Sequence, residues 1–185
     1  MMKSVLTETR ARMQKSLEAF EANIGVIRTG RANPAVLNRI QVDYYGATTP
    51  LNQLATVSSP DPRTLIITPF DKSIISDVEK AIQESDLGFN PNNQGDAIFI
   101  TVPPLNDERR RELVKAAKHL AEETRVAVRN IRRSSNEELK EMQKENLLTE
   151  DDLRLGESEV QKLTDEFITR IEERVKSKEA DIMEV

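Results

Sequence analysis

The sequence predicts an α+β fold: an elongated three-helix bundle with a small α/β domain inserted between its first and second helices. Three observations predict it. Long stretches at the beginning, middle and end of the chain repeat apolar side chains at spacings of three and four, the signature of an amphipathic helix. Between the first two of them the period changes to short alternating, β-branched runs. Only six Gly and eight Pro occur among 185 residues, too few turn formers for an all-β chain. With 37% apolar and 32% charged residues, the chain can bury a core but leans toward long solvated helices. The domains expected are a bundle from residues 1–30 and 105–185, and an insert from 31–104.

The first helix is read over 3–29, with Met13, Leu17, Phe20, Ile24 and Ile27 on one face and Leu6 a heptad earlier. Gly30 is its expected stop, and Asn33-Pro34 blocks continuation. Ile40–Tyr44 alternates like a half-buried strand and stops at Gly46. Pro50–Val57 reads as irregular or strand, and Ser58-Ser59-Pro60-Asp61-Pro62 as a turn. Thr64–Thr68 is a β-branched strand. A short helix follows, with Ile74, Ile75, Val78, Ala81 and Ile82 inward, Asp71 or Ser73 as cap and Gly88 as stop. Residues 90–96 read as a loop, and Ala97–Val102 as the last strand, closed by Pro103-Pro104.

The second long helix begins after Asn106, a good N-cap, with Asp107 and Glu108 complementing the positive end of the helix dipole. Its stripe is Leu113, Ala117, Leu120, Thr124, Ala127 and Ile131, extended by Leu139 and Met142. Asn146-Leu147-Leu148 interrupts it, and Thr149 with Asp152 resembles a capping box. The third helix carries Val160, Leu163, Phe167, Ile171, Val175 and Ile182. At 1.5 Å per residue the three would be roughly 40, 55 and 50 Å long. None is stable alone, so packing them together is the economical solution.

Composition also limits the chemistry. The absence of Cys removes disulfides, thiolate metal sites and Cys nucleophiles, and fits a reducing cytosol. His119 is the single imidazole. No apolar run approaches the roughly 20 residues of a membrane span, and the first residues lack a signal-peptide core. The expected protein is cytoplasmic, makes no membrane contact and is a monomer.

The net charge of −5 hides segregation. Residues 1–31 sum to +3, 32–106 to −4, 109–133 to +6 and 134–185 to −8. Because screening confines fields to about 8–10 Å, the two basic stretches matter more to a polyanion than the overall sign. On the second long helix Arg111, Lys115, Lys118, Arg125, Arg129 and Arg132 step by four and three, interrupted only by Glu122. Their offset of about 200° from the apolar stripe places them on the face away from the core. A solvated face and a contact with RNA or DNA backbone both accommodate this row. A solvated face normally mixes signs, and a like-charged row repels itself by a few tenths of a kcal/mol per pair. Arg forks suit phosphate, and the scarcity of aromatics favours backbone and shape over base stacking.

The remaining candidates are weaker. Gly25–Ala32 nearly matches a phosphate-binding loop but has Arg31 and Ala32 where Lys and Ser or Thr belong, and it ends a helix rather than opening one. The basic Arg28-Thr29-Gly30-Arg31 suits the helix C-terminus in any case. His119 has no evident Asp or Ser partner, and Asp151-Asp152 and Glu172-Glu173 lack the ligand spacing of a calcium loop. Neither a catalytic residue nor a metal site is expected.

Several strings together resemble the bacterial ribosome recycling factor family. They are Ile27-Arg28-Thr29-Gly30-Arg31-Ala32 with Pro34; Tyr44-Tyr45-Gly46 with Pro50-Leu51; and Ser85-Asp86-Leu87-Gly88 with Asn90-Pro91. Later come Pro103-Pro104-Leu105 with Glu108-Arg109-Arg110, the run Val126–Arg133, and Gln161-Lys162-Leu163-Thr164-Asp165. Asn106 stands where the family usually has Thr, and Ser134-Ser135 where an acidic residue usually follows the paired arginines.

The resemblance implies an L-shaped molecule, a three-helix bundle with a β/α/β domain on a flexible hinge. It implies binding to the post-termination ribosome at the subunit interface, with large-subunit rRNA touched by Arg28, Arg31, Arg129, Arg132 and Arg133. It places the hinge at Thr29, Gly30, Arg31, Pro103, Pro104 and Leu105. The partner implied is elongation factor G, whose GTP hydrolysis splits the subunits and frees mRNA and deacylated tRNA; the chain itself would be no enzyme and need no cofactor. A helical scaffold would instead leave the basic row merely solvated, and an enzyme would need a reactive constellation.

Overall fold

The computed structural model describes every residue except Met1, Arg31, Asp86 and Val185. The chain divides into two compact units, one of Met1–Ile27 with Arg110–Ala180 and one of Arg28–Arg109 with Asp181–Val185.

The first unit is built from three helices, α1 (Met2–Gly25), α3 (Asp107–Lys144) and α4 (Glu150–Met183), of which the first three residues of α3 and the last three of α4 fall in the second unit. At 1.5 Å per residue they run about 36, 57 and 51 Å. Each buries one stripe. On α1 it is Val5, Thr9, Met13, Leu17, Phe20 and Ile24, so Val5 and Thr9 rather than Leu6 continue it; Leu6 packs at the shoulder, against the cluster of Val5, Leu139 and Val160. On α3 the buried residues are Leu113, Ala117, Ala121, Thr124, Val128, Ile131, Ser135 and Leu139. Ala121 and Val128 thus replace the expected Leu120 and Ala127, which are only half-buried. Small Ala117, Ala121 and Ser135 at this seam let neighbouring helices approach, since interaxial distance follows the side chains at the contact. On α4, Thr164 rather than Leu163 lies between Val160 and Phe167.

Helix ends follow local chemistry. α1 stops at Gly25, five residues before the expected Gly30. Gly there weakens the helix, and the Ile27 N–H turns back to the Ile24 carbonyl at 3.2 Å in a tightened last turn. At the end of α3, Asn146 takes φ 59°. The Leu147 N–H then reaches the Met142 carbonyl at 2.9 Å and the Asn146 N–H reaches Gln143 at 3.0 Å, a Schellman motif. The reciprocal box at the start of α4 forms as expected: Asp152 N–H donates to Thr149 Oγ1 at 3.1 Å and Thr149 N–H to Asp152 Oδ2 at 3.2 Å. Asn106 caps α3, its Oδ1 accepting from Arg109 N–H at 2.7 Å.

The second unit carries a two-stranded hairpin, β1 (Gln41–Tyr44) with β2 (Ala47–Pro50). It also carries an antiparallel four-stranded sheet of order β3-β4-β6-β5. Its strands are β3 (Ala55–Asp61), β4 (Thr64–Pro69), β5 (Asn92–Asn93) and β6 (Ile98–Thr101). Most of the segment expected as a turn at 58–62 is instead the end of β3, with a bulge between Ser58 and Asp61 that accommodates Pro60 off the ladder, and the turn falls at Pro62-Arg63. Part of the expected 90–96 loop pairs as β5. The helix α2 (Ile75–Gln83) follows a 3₁₀ turn whose cap is Asp71. Val78 and Ile82 of α2 join Val42, Leu51, Leu65, Ile67, Ile98 and Ile100 in one fully buried core.

Candidate nucleic-acid interface

Where α4 meets the other helices, three arginines are matched to carboxylates, while Arg132 and Arg170 reach the neutral Gln161 and Gln14. Arg10 of α1 pairs with Glu166 at 3.0 Å, Arg174 with Glu21 of α1 at 2.9 Å, and Arg125 of α3 with Glu172 at 2.6 Å. Arg10 and Arg170 also lie over the Phe167 ring, at 5.9 and 5.3 Å from its centroid.

The α1–α3 side differs. A groove of about 640 Å³ runs between them, lined by Arg12, Lys15 and Ser16 of α1 and by Ala127 and Asn130 of α3. Among the described residues the one polar partner of Arg12 is the neutral Ser134 Oγ at 3.3 Å, and Arg133 donates to Asn130 Oδ1 at 2.6 Å. Among the described residues, Arg12, Lys15, Arg129, Arg132 and Arg133 form no ion pair within 4 Å. Arg132 lies toward α4, at Gln161, while Arg12 and Lys15 put two cations without an ion pair in the α1–α3 groove. A polyanion docked there gains attraction and loses none of the bundle's own bridges.

The residues singled out in the sequence are placed unequally. Arg129 and Arg132 are half-buried on the shoulders of α3, with Arg132 leaning toward Gln161 of α4 at 3.5 Å, and Arg133 is exposed. Arg111, Lys115 and Lys118 are exposed farther along α3. Arg125 does not point away from the core as the row suggests. It is 18% exposed, bonded to Glu122 and Glu172. Partial burial opposes its charge, and the two carboxylates outweigh that, raising its pKa. The offset argument failed here because the seam with α4 extends farther around α3 than the apolar residues indicate.

Arg28 belongs to the other unit, where its Nη2 donates to the Pro103 carbonyl at 3.1 Å, bringing together the two stretches expected as the hinge. In those segments Thr29 and Gly30 are half-buried, Pro103 and Pro104 exposed and Leu105 buried. Arg31 lies outside the described residues. Arg12 and Lys15 escaped the sequence reading because they are only two cations on a helix of mixed charge; their significance comes from the groove they share with α3. His119 is exposed and pairs with Glu123 one turn on, at 2.8 Å. Among the described residues no group of three or more His, Asp or Glu is placed to hold a metal ion, and no helix is long and apolar enough to cross a membrane.

Comparison with known proteins bears on the whole length. Residues 20–183 match the family profile of ribosome recycling factor. The ribosome-recycling factor of Halalkalibacterium halodurans is 57% identical over 185 residues, and that of Bacillus subtilis 50%, each covering all of both chains. That of Thermus thermophilus is 52% identical over 182 residues, 98% of each chain. A solution structure of a ribosome recycling factor superposes with a TM-score of 0.84 at 38% identity, covering 100% of this chain and 98% of the other. The T. thermophilus factor, placed with Escherichia coli elongation factor G on the E. coli post-termination complex, matches with a TM-score of 0.69 at 51% identity over the full length of both chains. With the fold, the sequence and their coverage in agreement, the chain belongs to the ribosome recycling factor family.

Proposed function

We propose that this chain binds the post-termination ribosome and, with elongation factor G and GTP hydrolysis by that factor, splits the subunits and releases mRNA and deacylated tRNA. The observation that carries the reading is a set of bundle cations that no carboxylate engages. Arg129, Arg132 and Arg133 of α3, with Arg12 and Lys15 of α1, form no ion pair within 4 Å among the described residues, on a protein whose net charge is −5. Such cations attract an RNA backbone locally while the acidic remainder limits indiscriminate binding. Family membership supports the setting, as does the T. thermophilus relative placed beside elongation factor G on a post-termination complex.

The chain acts as a mechanical part rather than an enzyme, needs no cofactor of its own and works as a cytoplasmic monomer. The arginines, with Arg28 and Arg31, hold large-subunit rRNA at the subunit interface. Helices of 38 and 34 residues supply stiffness. Thr29, Gly30, Arg31, Pro103, Pro104 and Leu105 form the hinge about which the small domain turns under the push of the GTPase.

Light scattering of post-termination ribosomes mixed with the protein, with and without elongation factor G and GTP, tests the reading. Splitting that needs all three components supports it, and neither splitting nor salt-sensitive binding refutes it. Replacing Arg132 by Ala should weaken binding and flatten the salt dependence by about one phosphate contact. Fixing the hinge at Gly30 and Pro103 should spare binding and stop splitting; full activity in the rigid variant would refute the mechanical account.

A further inference from the structure

We propose that the tip of the β1–β2 hairpin, through Tyr45 together with Phe70 and the Asp71 carboxylate, docks a protein segment that presents an arginine or lysine beside an apolar side chain. Tyr45 and Gly46 are the two central residues of the hairpin turn, with φ 50° and 84°. Two consecutive positive values are the primed-turn geometry that Asn-Gly or Gly-Gly adopts most easily, and a bulky ring there is disfavoured locally. Burial gives no compensation, because Tyr45 is 78% exposed. Its neighbour Tyr44 packs against the core and meets the Tyr45 ring edge-on, 4.7 Å between centroids at 71°. The outward ring is therefore braced from below rather than free to fold away.

Phe70 adds a second outward ring. It is 71% exposed at the end of β4, anchored by its N–H to the Leu54 carbonyl at 2.9 Å. Asp71 connects the two. Its Oδ1 accepts from the Ser73 N–H at 2.9 Å and the Ser73 hydroxyl at 2.6 Å. Among the described residues its Oδ2 accepts only the long contact from the Tyr45 hydroxyl at 3.5 Å, so that oxygen has capacity for another donor.

Charge selects the occupant. Residues 32–106 sum to −4, and Asp43, which accepts the Gly46 N–H at 3.0 Å, puts a second carboxylate beneath the tip; Lys72 is the one cation adjoining Asp71 in the chain. Aromatic platforms that stack nucleic-acid bases sit in positive grooves, which this is not. An aromatic face beside a carboxylate with spare capacity matches a guanidinium or ammonium, and two exposed rings match the apolar neighbour of such a group. The chain makes the same match internally, where Arg10 and Arg170 cover Phe167.

The inference rests on the ribosome-recycling reading for the setting in which this partner is met, but not on the bundle cations. Its test places p-benzoylphenylalanine at position 70 of the full chain, on post-termination ribosomes with elongation factor G and a non-hydrolysable GTP analogue. A cross-link to an identified Arg- or Lys-bearing protein segment supports the proposal; a cross-link to rRNA, to a second copy, or none overturns it. In parallel, Tyr45→Asn combined with Phe70→Ser removes both rings while Asn retains the turn. The variant should melt like the unsubstituted protein, pellet with ribosomes within twofold of it, and split them at least tenfold more slowly. Unchanged splitting overturns this inference alone. Failure of the unsubstituted protein to bind or split ribosomes overturns the ribosome reading and this one with it.

Discussion

Arg125 of α3 donates through Nη1 to Glu172 of α4 at 2.6 Å while its Nε reaches Glu122 of its own helix at 2.9 Å. That pair of bonds makes it an interhelical brace inside the row of cations on α3. Arg125→Leu should therefore cost about 1 kcal/mol, the scale of a partly screened ion pair, and lower the unfolding midpoint by about 2–4 °C. Ribosome affinity should stay within twofold in the same variant. A tenfold loss of affinity with unchanged melting would return Arg125 to the binding face.

A second brace is neutral. Thr9 of α1 and Ser135 of α3 share a buried hydroxyl contact of 2.6 Å, and Thr9 also donates to the Val5 carbonyl at 2.7 Å. Removing one hydroxyl by Thr9→Val strands the other in an apolar seam, which costs about 1–3 kcal/mol. Thr9→Val with Ser135→Ala should cost less than the two single changes added together, by about 1 kcal/mol. Denaturant unfolding of the four proteins measures this coupling, and strict additivity would show that the hydroxyls are satisfied independently.

These two contacts mark where the sequence could and could not be read. The long helices were legible because Met13, Leu17, Phe20 and Ile24, or Phe167, Ile171 and Val175, obey one period over many turns. The caps at Asn106 and Thr149 were legible because their partners lie three residues away. What escaped depended on partners distant in the chain. Thr9 is polar and so absent from an apolar stripe, yet Ser135 makes it a core residue. Arg125 looks like its neighbours until Glu172 is placed opposite it. Lys15 and Arg12 look ordinary until α3 supplies the other wall of their groove. In the small unit, Tyr45-Gly46 was a strand end in sequence because a tyrosine at positive φ is not a turn signal.

Acid should loosen the small unit through Asp71. The Ser73 hydroxyl and then the Ser73 amide hold its carboxyl below the ordinary value of 3.8, with a lesser contribution from the Tyr45 hydroxyl. A carboxyl depressed in the folded state contributes stability that is complete above its unfolded value and is lost as pH falls through the lower, folded one. The loss through this group therefore lies below about pH 4. Ser73→Ala should move the Asp71 titration up toward the ordinary value, with Tyr45→Phe moving it less. Carboxyl carbon chemical shifts followed against pH read both changes directly, and an unmoved Ser73→Ala titration would assign the shift to another cause.

The groove makes the sharpest demand on the binding face. If Arg12 and Lys15 touch phosphates, replacing both by Gln should reduce the slope of log affinity against log salt by about 1.5, since each contact contributes roughly 0.7–0.9. Affinity itself should fall at every salt concentration and most at low salt. Arg10→Gln is the matched control: the same helix and the same loss of charge, but at a cation already paired with Glu166 on the α4 side. The control should weaken the bundle slightly and leave the slope within a few tenths. Equal slopes for both variants would mean that the ribosome senses only total charge, and that the placement of Arg12 and Lys15 in the groove has no role in recognition.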